Sequence, residues 1–268
     1  MEFLPIIEAD PNNLLFTSAA VLGIQLAAFA VAAVRRTDTL TDITYAATFA
    51  LMAVALLVGG GRYELPRLLV CALVVLWGLR LGGYLLRRVL RTGRDERFDG
   101  IREHPFKFAG FWTLQAVTIW TVLLPVTMLL SHSGPLQPGW PLWVGAGLWL
   151  VGFVVETVAD QQKFAFRNDP ANRGRWIERG LWRYSRHPNY FGELLCWWGL
   201  FVAAVPALDG WEWLALLGPI FLTVLLLFVS GIPTVRRKQQ QRYGHDPAFQ
   251  DYLKRTSLLI PLPPRSGA

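Results

Sequence analysis

FAGFWTLQAVTIWTVLLPVTMLL, running from Phe108 to Leu130, carries no charged side chain over its whole length. A helix rises about 1.5 Å per residue, so this run crosses a hydrocarbon core about 30 Å thick. It reads as a membrane span. Working outward, six more stretches have the same character: Leu14–Val34, Ile43–Gly59, Arg67–Leu86, Leu142–Gln161, Tyr190–Val205 and Trp213–Ile232. The expectation is an all-α, polytopic membrane protein with seven transmembrane helices, organised as one membrane domain over residues 1–268.

Composition agrees. The chain is 53% hydrophobic with only 17% charged residues, against about 25% charged in a soluble domain. That excludes collagen-like, disordered and disulfide-stapled secreted classes. Met1–Asp10 is acidic and lacks the basic start of a signal peptide, so the first helix is expected to be retained.

With seven spans, all of the 26 Lys and Arg except Arg62, Arg67 and Arg80 fall in connections 1–2, 3–4 and 5–6 and in the C-terminal tail. The positive-inside rule makes that side cytoplasmic, with the N-terminus outside. An even number of spans breaks this segregation. Loop bias thus accounts for the net charge of +7, and nucleic acid is not an expected partner. Cys71 and Cys196 lie in spans and the histidines are scattered, so no metal site is expected. Gly145, Gly147 and Gly152 loosely mimic a dinucleotide fingerprint. They sit in an apolar span with no preceding strand and read better as small residues for close helix packing, which serves dimers as readily as intramolecular contacts.

Ionisable groups inside spans cost about 2.5–3.5 kcal/mol or more at the bilayer centre, which makes each a functional candidate. Arg80, Glu156, Asp160 and Glu193 form this set, and Tyr84 follows Arg80 by one helical turn on the same face. The densest polar region is the fifth connection, Asp160 to Glu193, where arginines alternate with Phe164, Phe166, Trp176, Trp182 and Tyr184. Guanidinium groups make bidentate contact with phosphate, and aromatic rings cover a nucleotide base. Anionic lipid headgroups are the plainer ligand for such a surface. Two more basic segments face the same side, one around Arg91, Arg94 and Arg97 and one from Arg236 to Tyr243. Three segments of this kind could converge on one polyphosphate.

The string Ser185-Arg186-His187-Pro188-Asn189-Tyr190-Phe191-Gly192-Glu193 is the most specific in the chain. It resembles the signature shared by membrane steroid 5α-reductases, sterol reductases and isoprenylcysteine carboxyl methyltransferases. With Arg179-Gly180-Leu181-Trp182 before it and Tyr243-Gly244, Tyr252, Arg255-Thr256-Ser257 and Ile260-Pro261 after it, the chain is similar to the bacterial DUF1295 group of the steroid 5α-reductase superfamily. The resemblance covers about Leu142 to Pro264. It implies a seven-helix membrane fold and NADPH-dependent reduction of the activated double bond of a 3-oxo-Δ4-steroid or similar apolar enone, in a bacterial inner membrane with the cofactor on the cytoplasmic side.

Carried over by motif, the resemblance implies cofactor contacts at Asn189, Glu193, Asp160, Arg167 and Arg175, with Arg94, Arg97 and Tyr243 contributing. Trp176, Arg186, His187, Tyr190 and Arg237 complete the expected set. The animal steroid reductases carry a second-span Glu that helps hold the steroid 3-oxo group, and Ile43–Gly59 contains no acid. Tyr45, Tyr84 or Glu156 is then expected to take over the carbonyl contact. Hydride addition leaves negative charge on the carbonyl oxygen, and a preorganised donor must stabilise it. Tyr84 with Arg80 beside it is the first choice, and a buried protonated carboxyl such as Glu193 is the alternative. A methyltransferase using S-adenosylmethionine is the rival reading. It is disfavoured by the basic run Arg236–Arg242, which suits a phosphorylated cofactor better than a cationic methyl donor. A lipid-binding or transport protein accounts for the basic loops but leaves Asn189 and Glu193 unexplained.

Overall fold

The protein was analysed as a computed structural model, which describes residues 10–35, 37, 39–92 and 104–265. All seven expected spans are helices long and apolar enough to cross a membrane. They are α1 (Leu14–Arg35), α2 (Thr39–Gly60), α3 (Leu65–Thr92), α4 (Pro105–Ser131), α5 (Trp140–Asn168), α6 (Pro188–Ala204) and a composite seventh span. The seventh begins with a 3-10 turn at Gly210–Leu216 and continues through α7 (Leu217–Val224) and a π-helical turn at Leu225–Val229. After Ser230-Gly231 it resumes as α8 (Ile232–Tyr243), and α9 (Pro247–Arg255) follows. A Cβ at Gly231 would lie 2.5 Å from the Leu226 carbonyl oxygen, so the break needs glycine there. The fifth connection is shorter than the sequence suggests, because α5 runs past Asp160 to Asn168.

The chain forms two compact units. The first comprises Met1–Ala146 and Leu200–Gly218, the second Gly147–Gly199 and Pro219–Ala268. In the first, α1, α2 and the Gly210–Leu216 turn pack on α4, and α2 lies along α3. The α2–α3 pair approaches closely because small residues meet: a Cβ on Gly78 would sit 2.9 Å from the Ala46 carbonyl oxygen. Phe49 and Trp77 are fully buried along this seam with ring centroids 5.3 Å apart, and Tyr45 packs edge-on against both. Arg88 closes one end of the seam on Asp42 at 2.5 Å.

Hydrocarbon offers no partner to a polar side chain, so span polar groups must satisfy one another. Gln25 Nε2 donates to Thr48 Oγ1 (3.0 Å), and Thr48 donates to the Thr44 carbonyl (2.7 Å). Gln115 Nε2 donates to Gln25 Oε1 (2.8 Å) and to the Thr41 carbonyl (3.1 Å). This buried network ties α1, α2 and α4 together and engages Thr48, one of the few polar groups of the acid-free stretch Ile43–Gly59, whereas α2 itself begins earlier and includes Asp42.

Large side chains exposed along the spans, such as Leu79, Leu90 and Phe228, face where acyl chains would be. Exposed aromatics gather where odd-numbered spans begin: Tyr63 before α3, Trp140 and Trp143 on α5, Trp211 and Trp213 on the seventh span. These starts share one side of an alternating bundle, and the aromatics fit an interfacial belt there.

On the same side Arg67 is fully buried. It pairs with Glu64, and its Nη2 donates to the carbonyls of His132 (2.6 Å) and Gly134 (3.0 Å), joining connection 2–3 to connection 4–5. The guanidinium holds the Glu64 carboxyl below its usual range. Arg67→Met strips Glu64 of its partner and leaves the two carbonyls only the longer bonds from Arg62 (3.4 and 3.5 Å), and losing two charge-assisted hydrogen bonds of a buried guanidinium costs about 3 kcal/mol. Its thermal unfolding midpoint in detergent is expected to fall by about 10 °C, at about 2–4 °C per kcal/mol. A midpoint within experimental scatter of the parent's would refute the clamp.

Candidate functional site

Within the second unit the signature stretch is held from three directions. The first is a glycine crossing between α5 and α6. A Cβ on Gly152 would meet the Gly192 carbonyl oxygen at 2.5 Å, and one on Gly192 would meet the Glu156 amide nitrogen and the Gly152 carbonyl oxygen at 2.6 Å. Bare backbones are therefore in contact, and buried Glu156 lies against the signature helix. The expected packing role of Gly152 is thereby explained, whereas a Cβ at Gly147 would meet open space.

The second hold comes from the end of α5. Asn172 Nδ2 donates to the Phe166 carbonyl (3.1 Å) and turns the chain back. Gly180 has φ +62°, which favours glycine, and a Cβ there would collide with Gln162. Gln162 Oε1 instead accepts from the Leu181 amide at 2.9 Å. Trp182 is buried, its Nε1 donating to the Ala159 carbonyl (3.1 Å), and Lys163 Nζ sits 4.9 Å from the ring centre. Asp160 is buried on the same helix.

The third hold is the C-terminal tail. Tyr252 on α9 donates to the Trp182 carbonyl (2.9 Å), Ser185 Oγ donates to the Leu259 carbonyl (2.7 Å), and the Arg186 amide donates to the Ser257 carbonyl (2.8 Å). Burial pushes the Tyr252 phenol well above its ordinary value, so it stays protonated as a donor. Tyr243 donates to the Arg175 carbonyl at 3.0 Å. Its ring joins Trp176 (5.7 Å) and Phe249 (5.5 Å) in an aromatic cluster.

His187, buried just before α6, lies parallel to Tyr190 with centroids 5.4 Å apart. Its pKa falls to about 3, first through burial and then through the positive charges of Lys163 and Arg186. The imidazole is therefore neutral at physiological pH. The unfolded chain takes up this proton near pH 6.5, the folded one only near pH 3. Stability is thus full above pH 6.5 and lost as pH falls toward 3, by up to about 1.4 kcal/mol per pH unit. His187→Phe keeps a ring over Tyr190 and is expected to flatten the decline in denaturation midpoint between pH 6 and 4. An unchanged slope would refute this.

Of the residues expected at the site, Arg175, Trp176 and Tyr243 come together, as do His187 and Tyr190, while Glu156 meets the signature helix. Arg167 is exposed at the end of α5. Arg236 and Arg237 are both exposed on α8; Arg236, unlike Arg237, lines a recess with Arg186 and His187. Glu193 follows Asn189 by one turn on α6. Tyr45, Arg80 and Tyr84 are half-buried and belong to the first unit. Arg94 and Arg97 lie outside the described residues. Sequence reasoning gives no role to Gln162, Ser185 or Tyr252, although the last two stand in the quoted motifs. Their signal was proximity to Gly180, to the signature and to the Tyr-Gly tail, and their contacts are tertiary.

Three polar atoms of this region are buried and make no hydrogen bond: Asn189 Oδ1, Arg186 Nε and Trp176 Nε1. A native interior leaves only a few such atoms per 100 residues, and six further side-chain atoms among the described residues share this status. One acceptor and two donors, beside aromatic rings and several exposed arginines, fit a ligand with amide, phosphate and ring components.

The family described as "Protein of unknown function (DUF1295)" matches residues 28–256. The chain belongs to the DUF1295 family. Among curated proteins, this DUF1295 chain is similar to 3-oxo-5-alpha-steroid 4-dehydrogenase 1 of Rattus norvegicus, 36% identical over 44% of this chain and 40% of the relative. The Homo sapiens protein of that name is 29% identical over 49% and 47% of the respective chains. An uncharacterized protein, C594.04c, of Schizosaccharomyces pombe is 27% identical over 57% and 54%. The DUF1295 chain thus spans about half the length, or less, of these curated relatives. No solved structure matches it.

Proposed function

We propose that this protein is an NADPH-dependent membrane reductase of the activated carbon–carbon double bond in a 3-oxo-Δ4-steroid or a similar apolar enone. The observation that carries the reading is the set of unsatisfied atoms on Asn189, Arg186 and Trp176, held on a frame clasped by α5, α6 and the tail. Similarity to proteins named as steroid 4-dehydrogenases supports the reaction class. Bound there, NADPH would supply the hydride that adds to the β-carbon of the enone.

The protein's own residues do the rest. Asn189 and Glu193 present polar groups on one face of α6, Trp176 and Tyr243 provide ring surface, and Arg175 and Arg186 supply positive charge toward phosphate. Arg94, Arg97, Asp160, Arg167, His187, Tyr190 and Arg237 remain proposed contacts by motif. An apolar substrate enters from the bilayer, and surrounding lipid is its reservoir. Tyr84, with Arg80 one turn before it, is the proposed donor to the carbonyl oxygen as negative charge develops there, and Tyr45 and Glu156 are proposed substrate contacts. Tyr84→Phe is expected to lower kcat about 10²–10³-fold with NADPH binding unchanged, because one oxyanion donor is worth about that much. A kcat within threefold of the parent's excludes the role.

The functional test is purified protein with NADPH and a Δ4-3-oxosteroid, followed at the nicotinamide absorbance, alongside thermal shifts with NADPH, NADH and S-adenosylmethionine. Cofactor oxidation dependent on the steroid supports the reading. Stabilisation by S-adenosylmethionine and none by NADPH sinks it. The cytoplasmic placement of the site is checked by accessibility of Arg175→Cys to a membrane-impermeant thiol reagent in right-side-out and inverted vesicles.

A further inference from the structure

Three guanidinium groups among the described residues are neutralised by a carboxylate: Arg67 by Glu64, Arg88 by Asp42 and Arg255 by Glu178. Arg186 and Arg236 differ. They line one recess together with Gln239 and Gln240, its apolar walls including Ile232 and Leu258, and no carboxylate lines it. Among the described residues neither arginine has an ion-pair partner. Arg186 Nε is moreover buried without an acceptor. Burial weakens the proton hold of Arg186, and the like charge of Arg236 weakens it further. Half-buried Arg186 and exposed Arg236 repel each other across this gap until an anion lies between them.

We propose that this recess is a phosphate-binding site. Arg186 sits on the signature loop and Arg236 on α8, so donors approach from two walls. A tetrahedral phosphate offers oxygens to both walls at once, whereas one carboxylate plane serves a single guanidinium fork. The glutamine amides add neutral N–H donors. Such a phosphate belongs either to an anionic phospholipid headgroup or to a soluble nucleotide. The nucleotide source rests on the reductase reading, and the lipid source does not.

The test uses the full chain in neutral detergent, stripped of lipid. Inorganic phosphate is titrated against thermal unfolding, with chloride at matched ionic strength as the control. Phosphate is expected to stabilise the parent, Arg236→Gln to weaken its binding about tenfold, and Arg236→Lys to recover most of it, since tenfold corresponds to about 1.4 kcal/mol, the scale of one charge-assisted hydrogen bond. A second arm compares phosphatidylglycerol with phosphatidylcholine, and a third NADPH with NADH. Protection by phosphatidylglycerol that Arg236→Gln abolishes assigns the lipid source. A preference for NADPH over NADH that Arg236→Gln abolishes assigns the nucleotide source. Equal stabilisation by phosphate and chloride, or equal phosphate affinity in Arg236→Gln and the parent, overturns the site. Should Arg236→Gln fail to fold, Gln239→Leu carries the same comparison: weaker phosphate binding supports the site, and affinity equal to the parent's overturns it. Phosphate protection without any NADPH oxidation would sink the reductase reading alone, and the converse would sink the site alone.

Discussion

Gly192→Ala is expected to cost about 3 kcal/mol or more and to lower the thermal midpoint by about 10 °C. The added methyl would fall 2.6 Å from the Glu156 nitrogen and from the Gly152 carbonyl oxygen, both backbone atoms that no rotamer change can move aside. Relief requires α5 and α6 to part. Because Asn189 and Glu193 lie on α6 either side of this contact, parting the helices also displaces the proposed cofactor groups, and ligand-induced stabilisation should vanish with the midpoint. Gly152→Ala meets the same crossing from the other side, at 2.5 Å from the Gly192 carbonyl oxygen. Once one methyl has separated the helices the second adds less, so the double variant should lose clearly less than the sum. Fluorescence-detected size exclusion after heating measures all three. Full additivity, or a Gly192→Ala midpoint equal to the parent's, would remove the bare-backbone crossing from consideration.

Asn189→Leu is expected to separate stability from binding. Asn189 Oδ1 is buried with no partner, so without ligand it carries a desolvation cost of about 1–3 kcal/mol. Leucine has a similar volume and removes that cost, and the ligand-free midpoint should hold or rise. NADPH loses its amide partner at the same step, and its dissociation constant should increase by about 100-fold or more, in line with a site built to hydrogen-bond its ligand. Trading stability for function in this way is the usual signature of a preorganised site. Titration of NADPH into the two proteins by calorimetry decides the matter: equal affinities would show that Asn189 does not touch the cofactor, and a large fall in the ligand-free midpoint would show that its role is structural.

The seven spans were legible because crossing a bilayer is a one-dimensional demand. Length and apolarity are both written along the chain, and Phe108–Leu130 needs no knowledge of its neighbours to be recognised. Gly152 was legible for a related reason, since a small residue inside an apolar helix has few other uses. The signature from Ser185 to Glu193 was conspicuous as a polar string bordering a span. Gln25 and Gln115 were not conspicuous, because an uncharged amide barely lowers the apolarity of a span. Their partnership with Thr48 spans three helices, and only packing brings them together. The break in the seventh span was equally hidden: Leu225–Val229 is as apolar as its surroundings, and the π turn shows only in its backbone bonding.

Apolar length and charge placement, read from the sequence by themselves, determined an all-helical seven-span membrane protein with its polar chemistry around one signature. Tertiary structure alone decided which of two adjacent arginines, Arg236 rather than Arg237, lines the recess with Arg186. A helix turns about 100° per residue, so neighbours in sequence point to different faces, and only the packing partner selects between them. It also decided that Asn189, Arg186 and Trp176 hold polar atoms that the protein itself leaves unsatisfied. Whether a polar atom is satisfied depends on what surrounds it in three dimensions, and no spacing along the chain records that.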